Sequence, residues 1–161
     1  MRASVAARPE AFRVLHFSVQ DDHVHLLVEA RDAAALTAGA RGLAVRVSRS
    51  VNARLGRRGR LWADRYHARE LETPRAVRNA LVYVLANHRK HRAAAAGIDP
   101  CSSGAWFTGW KDELRTTFAF DDVARWRGVP PPIAPPATWL ASVGWLRHGR
   151  IAVDEAPRPT S

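Results

Sequence analysis

The stretch Asp22–Glu29, with the sequence DHVHLLVE, constrains the fold of this chain more than any other. In a β-strand successive side chains point to opposite faces, so His23 and His25 share one face while apolar side chains fill the other. Two neutral imidazoles on a rigid strand can bind a cation when another element supplies a further ligand. Two histidines on the wet face of an antiparallel hairpin explain the stretch equally well when it is taken alone.

The neighbouring segments predict a mixed α/β domain. Apolar alternation predicts a strand over Phe12–Val19, joined by a turn to the histidine strand. Asp32 is a suitable N-cap for a following helix, whose apolar residues recur at helical spacing as far as Leu55. A basic loop follows, and residues 61–71 are interpreted as a further strand.

Thr73 and Pro74 open a second helix, as cap and first-turn residue, which is expected to reach about Arg92. Tyr83 and Asn87 are four residues apart and lie together, away from its apolar stripe. That stripe consists of Val77, Leu81, Val84 and Leu85.

These residue types suit attack on a phosphodiester. A phenol is a weak nucleophile unless its ionisation is assisted, and a divalent cation that polarises the phosphate makes the attack feasible. Asn87 offers a neutral oxygen that can complete a site with His23 and His25. Two nitrogens, one carbonyl oxygen and open positions fit Mg²⁺ or Mn²⁺ as well as Zn²⁺.

The charge balance makes nucleic acid the expected partner. Lys and Arg number 25 against 15 Asp and Glu, a formal net charge of +10. A genome rich in GC, which inflates Arg and Ala, is an alternative source of this excess. Three arginines among the glycines of residues 56–60 are candidate contacts to the DNA backbone. Two cations after Asn87 either bind the DNA backbone as well or form a solvated helix end. These residues are Arg57, Arg58, Arg60, Arg89 and Lys90.

Cys101 is the one cysteine, which excludes an intramolecular disulfide and a cysteine-based metal cluster. No apolar run approaches the roughly twenty residues of a membrane span, and the first ten residues lack the apolar core of a signal peptide. We therefore expect a cytoplasmic, nucleoid-associated protein with no membrane partner.

Taken together, four motifs resemble those of the single-tyrosine transposases of the HUH (His-hydrophobic-His) superfamily, closest to the bacterial REP-associated tyrosine transposases. The resemblance covers about residues 12–110 and includes the loop Asp99–Ser103. The motifs are His23–Val28, Gly59–Trp62, Arg65–Tyr66 and Leu81–Asn87.

The resemblance implies a ferredoxin-like α/β sandwich, an antiparallel sheet with two main helices on one face, that cuts and rejoins single-stranded or hairpin DNA. By the same analogy His23, His25 and Asn87 bind a divalent metal, Mg²⁺ or Mn²⁺ being favoured. Tyr83 becomes the nucleophile, which forms a transient 5′-phosphotyrosine link and releases a 3′-hydroxyl. Unpaired bases can stack on Trp62 or Tyr66.

The chain departs from the family at its start, because the family places a strand and a long helix before the hairpin. Only about eleven residues precede Phe12 here. Either the true start lies upstream, or a shortened copy completes its sheet with a partner, for instance in a homodimer, or leaves an open edge. We divide the chain into a disordered start (1–11), the HUH domain (12–112) and a Pro/Trp-rich extension (113–161), disordered from Asp154.

Two other functions compete with strand transfer. One is a catalytically silent module that binds single-stranded DNA and retains the fold and the charge. The other is a metallohydrolase that uses water, which is disfavoured because no acidic residue is placed as a base; Glu29 shares the histidine face but lies further along the strand.

Overall fold

The structure is a computed structural model that describes residues 10–88, 97–111, 126 and 128–157. Most of the expected disordered start, and the expected helix end near Arg92, lie outside these residues. The described part contains two strands, two long helices and short helical segments near the C-terminus, which confirms the mixed α/β class and the antiparallel sheet. Within these ranges no helix combines the length and the apolar character that crossing a membrane requires.

An antiparallel hairpin forms the sheet, as predicted. Strand β1 spans Phe12–Val19 and strand β2 spans Val24–Ala30. The Gln20 N–H donates to the His23 carbonyl (2.9 Å) and closes the turn between them. The histidine motif therefore begins where the turn meets β2.

The loop Asp99–Ser103 covers the edge of β1 that β2 leaves open. The Val19 N–H donates to the carbonyl of Cys101 (3.0 Å), and the Phe17 N–H donates to the Ser103 hydroxyl (3.0 Å). These bonds satisfy backbone groups that a strand edge would otherwise present unpaired. The loop that carries part of the family resemblance thus has a structural role here.

Helix α1 spans Ala33–Arg54. The Asp32 carboxylate caps it by accepting a hydrogen bond from the Ala35 N–H (2.7 Å), as predicted. Leu55 was expected in the apolar stripe, but it is the C-cap residue and 68% exposed. Leu55 therefore lies just beyond the helix, and its side chain is not packed against the sheet.

Residues 61–71 do not form the predicted strand, and this prediction was wrong. The segment runs back along α1 without regular structure, because side-chain bonds attach it to the helix instead of to a strand. The Trp62 indole N–H donates to the Ala44 carbonyl (3.0 Å), and the Tyr66 hydroxyl lies 3.2 Å from that of Thr37. Nearly all of the other side chains in the segment are exposed, so little apolar burial favours a sheet position.

Helix α2 spans Pro74–Ala86 and begins as predicted, with the Thr73 hydroxyl accepting from the Ala76 N–H (3.1 Å). All four residues of the predicted apolar stripe are buried, and Val82 and Ala86 are buried beside them. The apolar face of α2 is therefore wider than the stripe that the sequence indicated.

The two long helices pack on opposite faces of the hairpin, which differs from the predicted arrangement on one face. Helix α1 packs on the sheet at Gly39, where the Phe12 ring leaves no room for a Cβ atom. Phe12 pairs with Ala30, so this contact lies on the face of β2 that carries its even-numbered side chains. Helix α2 instead places Tyr83 on His25, on the odd-numbered face. Both faces need cover because β2 carries apolar side chains on each of them.

Described residues near the C-terminus pack against α2. Trp145 and Ile151 are buried in one apolar cluster with Leu81 and Leu85 of the helix. The short helix α3, Trp139–Ser142, and a 3-10 turn over Gly144–His148 supply this contact.

The spacing of Trp139, Val143 and Leu146 is typical of the apolar face of an amphipathic segment, but the structure turns these residues outward. These side chains are 49%, 51% and 38% exposed. The residues that pack inward are Leu140 and Trp145.

The expected disorder from Asp154 is wrong for residues 154–157, because Arg78 of α2 holds Glu155. The guanidinium donates to both oxygens of the carboxylate (2.6 and 2.8 Å) and to the carbonyls of Gly149 (2.9 Å) and Arg150 (3.2 Å). This fork ties the end of the chain to the helix that carries Tyr83. The hydrogen bonds from Arg78 hold the pKa of Glu155 below its ordinary value of 4.5.

Replacing Arg78 by alanine should lower the free energy of unfolding by about 2 kcal/mol, because four hydrogen bonds are lost together, two of them to the partly buried Glu155 carboxylate. Urea unfolding measures the change, and Arg75→Ala, an exposed cation on the same helix, is the control. Since the folded-state pKa of Glu155 is lowered, its stabilisation is complete above about pH 4.5 and is lost as the pH falls through the lowered value. Equal unfolding midpoints for the two variants would contradict this account.

Candidate active site

His23 and His25 converge at the start of β2. Their Nε2 atoms are 3.0 Å apart, and their ring planes are inclined by 73°. Two nitrogen ligands about 2.1 Å from one ion, at right angles to each other, lie about 3.0 Å apart. The pair therefore has the spacing of two adjacent ligands of one divalent cation.

Asp22 orients the first of these histidines. Its Oδ1 accepts a hydrogen bond from Nδ1 of His23 at 2.6 Å. A carboxylate at Nδ1 places the proton there and leaves the lone pair of Nε2 for a metal, as outer-shell carboxylates of metal sites do. The sequence alone indicated no role for Asp22 in the site, although a carboxylate directly before the histidine motif was the signal for this contact.

Tyr83 lies beside the histidine pair. Its ring centroid is 4.8 Å from that of His25, and the two rings meet edge to face at 71°. Leu81 and Leu85, each at most 2% exposed, fix the helix on either side of it. The structure thus brings together the strand and the helix that the sequence analysis paired across about sixty residues.

Asn87 is the C-cap of α2 and lies one turn beyond Tyr83. It is 1% exposed, so other parts of the protein cover it although it lies outside the apolar stripe of the helix. Neither Oδ1 nor Nδ2 of its amide has a hydrogen-bond partner among the described residues. A buried amide without partners costs about 1–3 kcal/mol, which a bound ligand would recover.

These donors fit a divalent cation. Within the described ranges no cluster of three His, Cys, Asp or Glu side chains has the geometry of a metal site. Among the described residues a third protein ligand would therefore be of another type, and the amide oxygen of Asn87 has no hydrogen-bond partner there. Two imidazoles and one amide oxygen suit Mg²⁺, Mn²⁺ and Zn²⁺.

The candidate DNA contacts lie apart from this group. Arg57, Arg58 and Arg60 are exposed in the loop after α1, and Tyr66 is 45% exposed. The indole N–H of Trp62 is taken by α1, which leaves its ring half-buried. The other two predicted contacts, Arg89 and Lys90, lie outside the described residues.

Two further polar residues near the sheet have structural partners. Burial lowers the pKa of His16 to about 4, and its Nδ1 lies 3.0 Å from the Ser103 hydroxyl, so its ring is neutral at pH 7. The Glu29 carboxylate accepts from the backbone N–H groups of Ala137 (2.8 Å) and Thr138 (2.9 Å) and from the Thr138 hydroxyl (2.6 Å). These contacts agree with the sequence argument that Glu29 is not a general base.

Comparison with known protein families finds a match. A family model described as "Transposase IS200 like" matches residues 3–87, which is more than half of the chain. The matched range contains the histidine pair, Tyr83 and Asn87. No curated protein and no solved structure matches the chain.

Proposed function

Because this chain belongs to the family of IS200-like transposases, we propose that it cleaves and rejoins single-stranded DNA through a 5′-phosphotyrosine intermediate. The observation that carries the proposal is the contact between Tyr83 and His25, with ring centroids 4.8 Å apart. A nucleophile and a candidate metal ligand from distant parts of the sequence meet at one point. The resemblance of the motifs as a whole to the REP-associated branch makes repeated palindromic elements the proposed substrate.

The proposed reaction is an in-line exchange at phosphorus. The Tyr83 oxygen, having lost its proton, attacks the scissile phosphate and forms a tyrosine–phosphorus bond. The bond from phosphorus to the 3′-oxygen breaks, and that oxygen takes up a proton and leaves as a 3′-hydroxyl. In rejoining, a 3′-hydroxyl attacks the phosphotyrosine and releases Tyr83, so no external energy source is needed.

His23, His25 and Asn87 would hold a divalent cation in this proposal, Mg²⁺ or Mn²⁺ being favoured. Such an ion supplies charge neutralisation and orientation of the scissile phosphate. Asp22 keeps His23 in the tautomer that can bind it. The exposed arginines Arg57, Arg58 and Arg60 would bind the DNA backbone, and Trp62 and Tyr66 would contact unpaired bases.

A covalent-adduct assay tests the proposal. Purified protein is incubated with a 5′-labelled or 3′-labelled single-stranded oligonucleotide that forms a palindromic hairpin, with Mg²⁺ or Mn²⁺, and then denatured. We expect the label downstream of the cut to migrate with the protein and the other fragment to carry a 3′-hydroxyl. Binding without an adduct would indicate a silent DNA-binding module, and free 5′-phosphates would indicate hydrolysis by water.

Replacing Asp22 by asparagine should weaken metal binding by about 10–100-fold, because the amide no longer fixes the proton on Nδ1 of His23. Isothermal titration with Mn²⁺ measures the affinity without requiring activity. Asp64→Asn removes an exposed carboxylate from the segment along α1 and should leave the affinity unchanged. An Asp22→Asn variant that binds Mn²⁺ as tightly as the original protein would show that the contact is incidental.

A further inference from the structure

An apolar stripe is exposed on the C-terminal segment. Trp139, Val143 and Leu146 are 49%, 51% and 38% exposed, although all three lie within eight residues of one another. Single exposed apolar side chains are common, but three of them on one short segment, whose other large apolar side chains pack inward, indicate an interaction site. The Trp139 ring is held in place against Gly144, where a Cβ atom would lie 2.8 Å from its Cζ3.

Positive charge surrounds this stripe. The guanidinium carbon of Arg147 lies 4.8 Å from the centroid of the Trp139 ring, and Arg150 is exposed two residues beyond the 3-10 turn. Residues 130–153 contain no Asp or Glu in the sequence. We call the group Trp139, Val143, Leu146, Arg147 and Arg150 the Trp139 surface.

The Trp139 surface begins on the same side of the hairpin as the candidate active site. Glu29 anchors the backbone of residues 137–138, immediately before Trp139. Glu29 and His25 are both odd-numbered residues of β2, so they share a face, and four strand residues span about 13 Å. A chain that passes the histidine pair along this face would reach the Trp139 surface next.

We propose that the Trp139 surface binds the single-stranded DNA that flanks the cleavage point. The inference rests on the proposed function for the identity of the partner. Arg150 donates one hydrogen bond to the Thr108 carbonyl (3.0 Å), and neither Arg147 nor Arg150 has a carboxylate partner among the described residues. An exposed indole, neighbouring aliphatic groups and two such guanidinium groups match a partner that presents flat apolar rings and negative charge. Unpaired bases stack on Trp139, and the adjoining phosphates pair with Arg147 and Arg150.

Binding is measured by fluorescence anisotropy of a fluorescein-labelled, mixed-sequence single-stranded oligonucleotide, using Tyr83→Phe protein without added metal so that no adduct forms. Trp139→Ala should weaken binding about tenfold, whereas Trp139→Phe, which retains a stacking ring, should stay within about twofold. Arg147→Gln should reduce the slope of log affinity against log salt by about 0.7, the contribution of one phosphate contact. Arg41→Gln, an exposed cation of α1 on the other face of the sheet, is the matched control.

The outcomes separate this inference from the proposed function. If the unmodified protein forms the covalent adduct but neither Trp139→Ala nor Arg147→Gln exceeds the effect of Arg41→Gln, the Trp139 surface does not bind DNA. If Trp139→Ala alters the sedimentation mass and leaves DNA affinity unchanged, the surface joins two copies of the chain and the inference is overturned. If no adduct forms but the predicted affinity losses appear, the proposed function fails and the Trp139 surface stands. If Trp139→Ala fails to fold, the salt dependence of Arg147→Gln decides whether the Trp139 surface binds DNA.

Discussion

Replacing Tyr83 by phenylalanine should reduce the covalent protein–DNA adduct by at least about a thousandfold, because the substitution removes the single oxygen that would attack the phosphate. The change deletes one hydroxyl and keeps the ring, so the edge-to-face contact with His25 is preserved. DNA affinity should therefore stay within about twofold of the original protein. Adduct yield on a denaturing gel and anisotropy with the same oligonucleotide measure the two effects separately.

The chain provides a matched control, since it contains only two tyrosines. Tyr66 is 45% exposed and its hydroxyl lies 3.2 Å from that of Thr37, and among the described residues its ring stacks on no histidine as that of Tyr83 does. Tyr66→Phe should form the adduct at the original rate, with at most a small loss of DNA affinity. An adduct that survives in Tyr83→Phe and disappears in Tyr66→Phe would reassign the nucleophile to the segment along α1.

The elements that the sequence predicted correctly are those whose signals are local. Asp32 and Thr73 cap the two long helices through their own side chains, and the alternation in β1 needs only its neighbour β2. Residues 61–71 were misassigned because a strand needs a partner edge, and strand propensity does not reveal whether one exists. There the hydrogen bond from Trp62 to α1 determines the conformation instead.

The relative positions of residues within one strand or one helix of the candidate site could also be predicted from local spacing. The side chains that surround the site could not. Period-two alternation fixes the common face of His23 and His25, and helical spacing fixes Tyr83 relative to Asn87. The burial of Asn87 depends on what packs around the end of α2, which spacing within one helix does not encode. The roles of Glu29 and Arg78 were likewise invisible, because their partners lie more than seventy residues away in the sequence.

The same long-range contacts show how the described C-terminal residues relate to the rest of the domain. A Pro/Trp-rich extension suggested a segment separate from the domain, yet Trp145 and Ile151 share the apolar cluster of α2. Arg78 and Glu155 join the two by a charge-assisted fork. The helix that carries Tyr83 is therefore held from both sides, by the hairpin and by the C-terminal segment, and this limits how far the tyrosine can move relative to His25.

Replacing His25 by alanine should weaken Mn²⁺ binding by more than about a hundredfold, because it removes a ligand rather than a group behind a ligand. His25 is also the residue on which the Tyr83 ring rests, so the adduct should fall below detection even at metal concentrations that saturate the original protein. Electron paramagnetic resonance of free Mn²⁺ gives the affinity, and the adduct assay gives the activity.

A control for His25→Ala must remove an imidazole that lies outside the candidate site. His67 and His148 are both exposed, and neither contacts His23 or His25, so alanine at either position should leave Mn²⁺ affinity and adduct yield unchanged. His16 is unsuitable because its ring packs against Phe107 and its loss would disturb the fold. If His25→Ala bound Mn²⁺ as tightly as these controls, the 3.0 Å approach of the two Nε2 atoms would be a hydrogen bond between surface histidines. The chemistry at Tyr83 would then have to proceed without a metal bound by this strand.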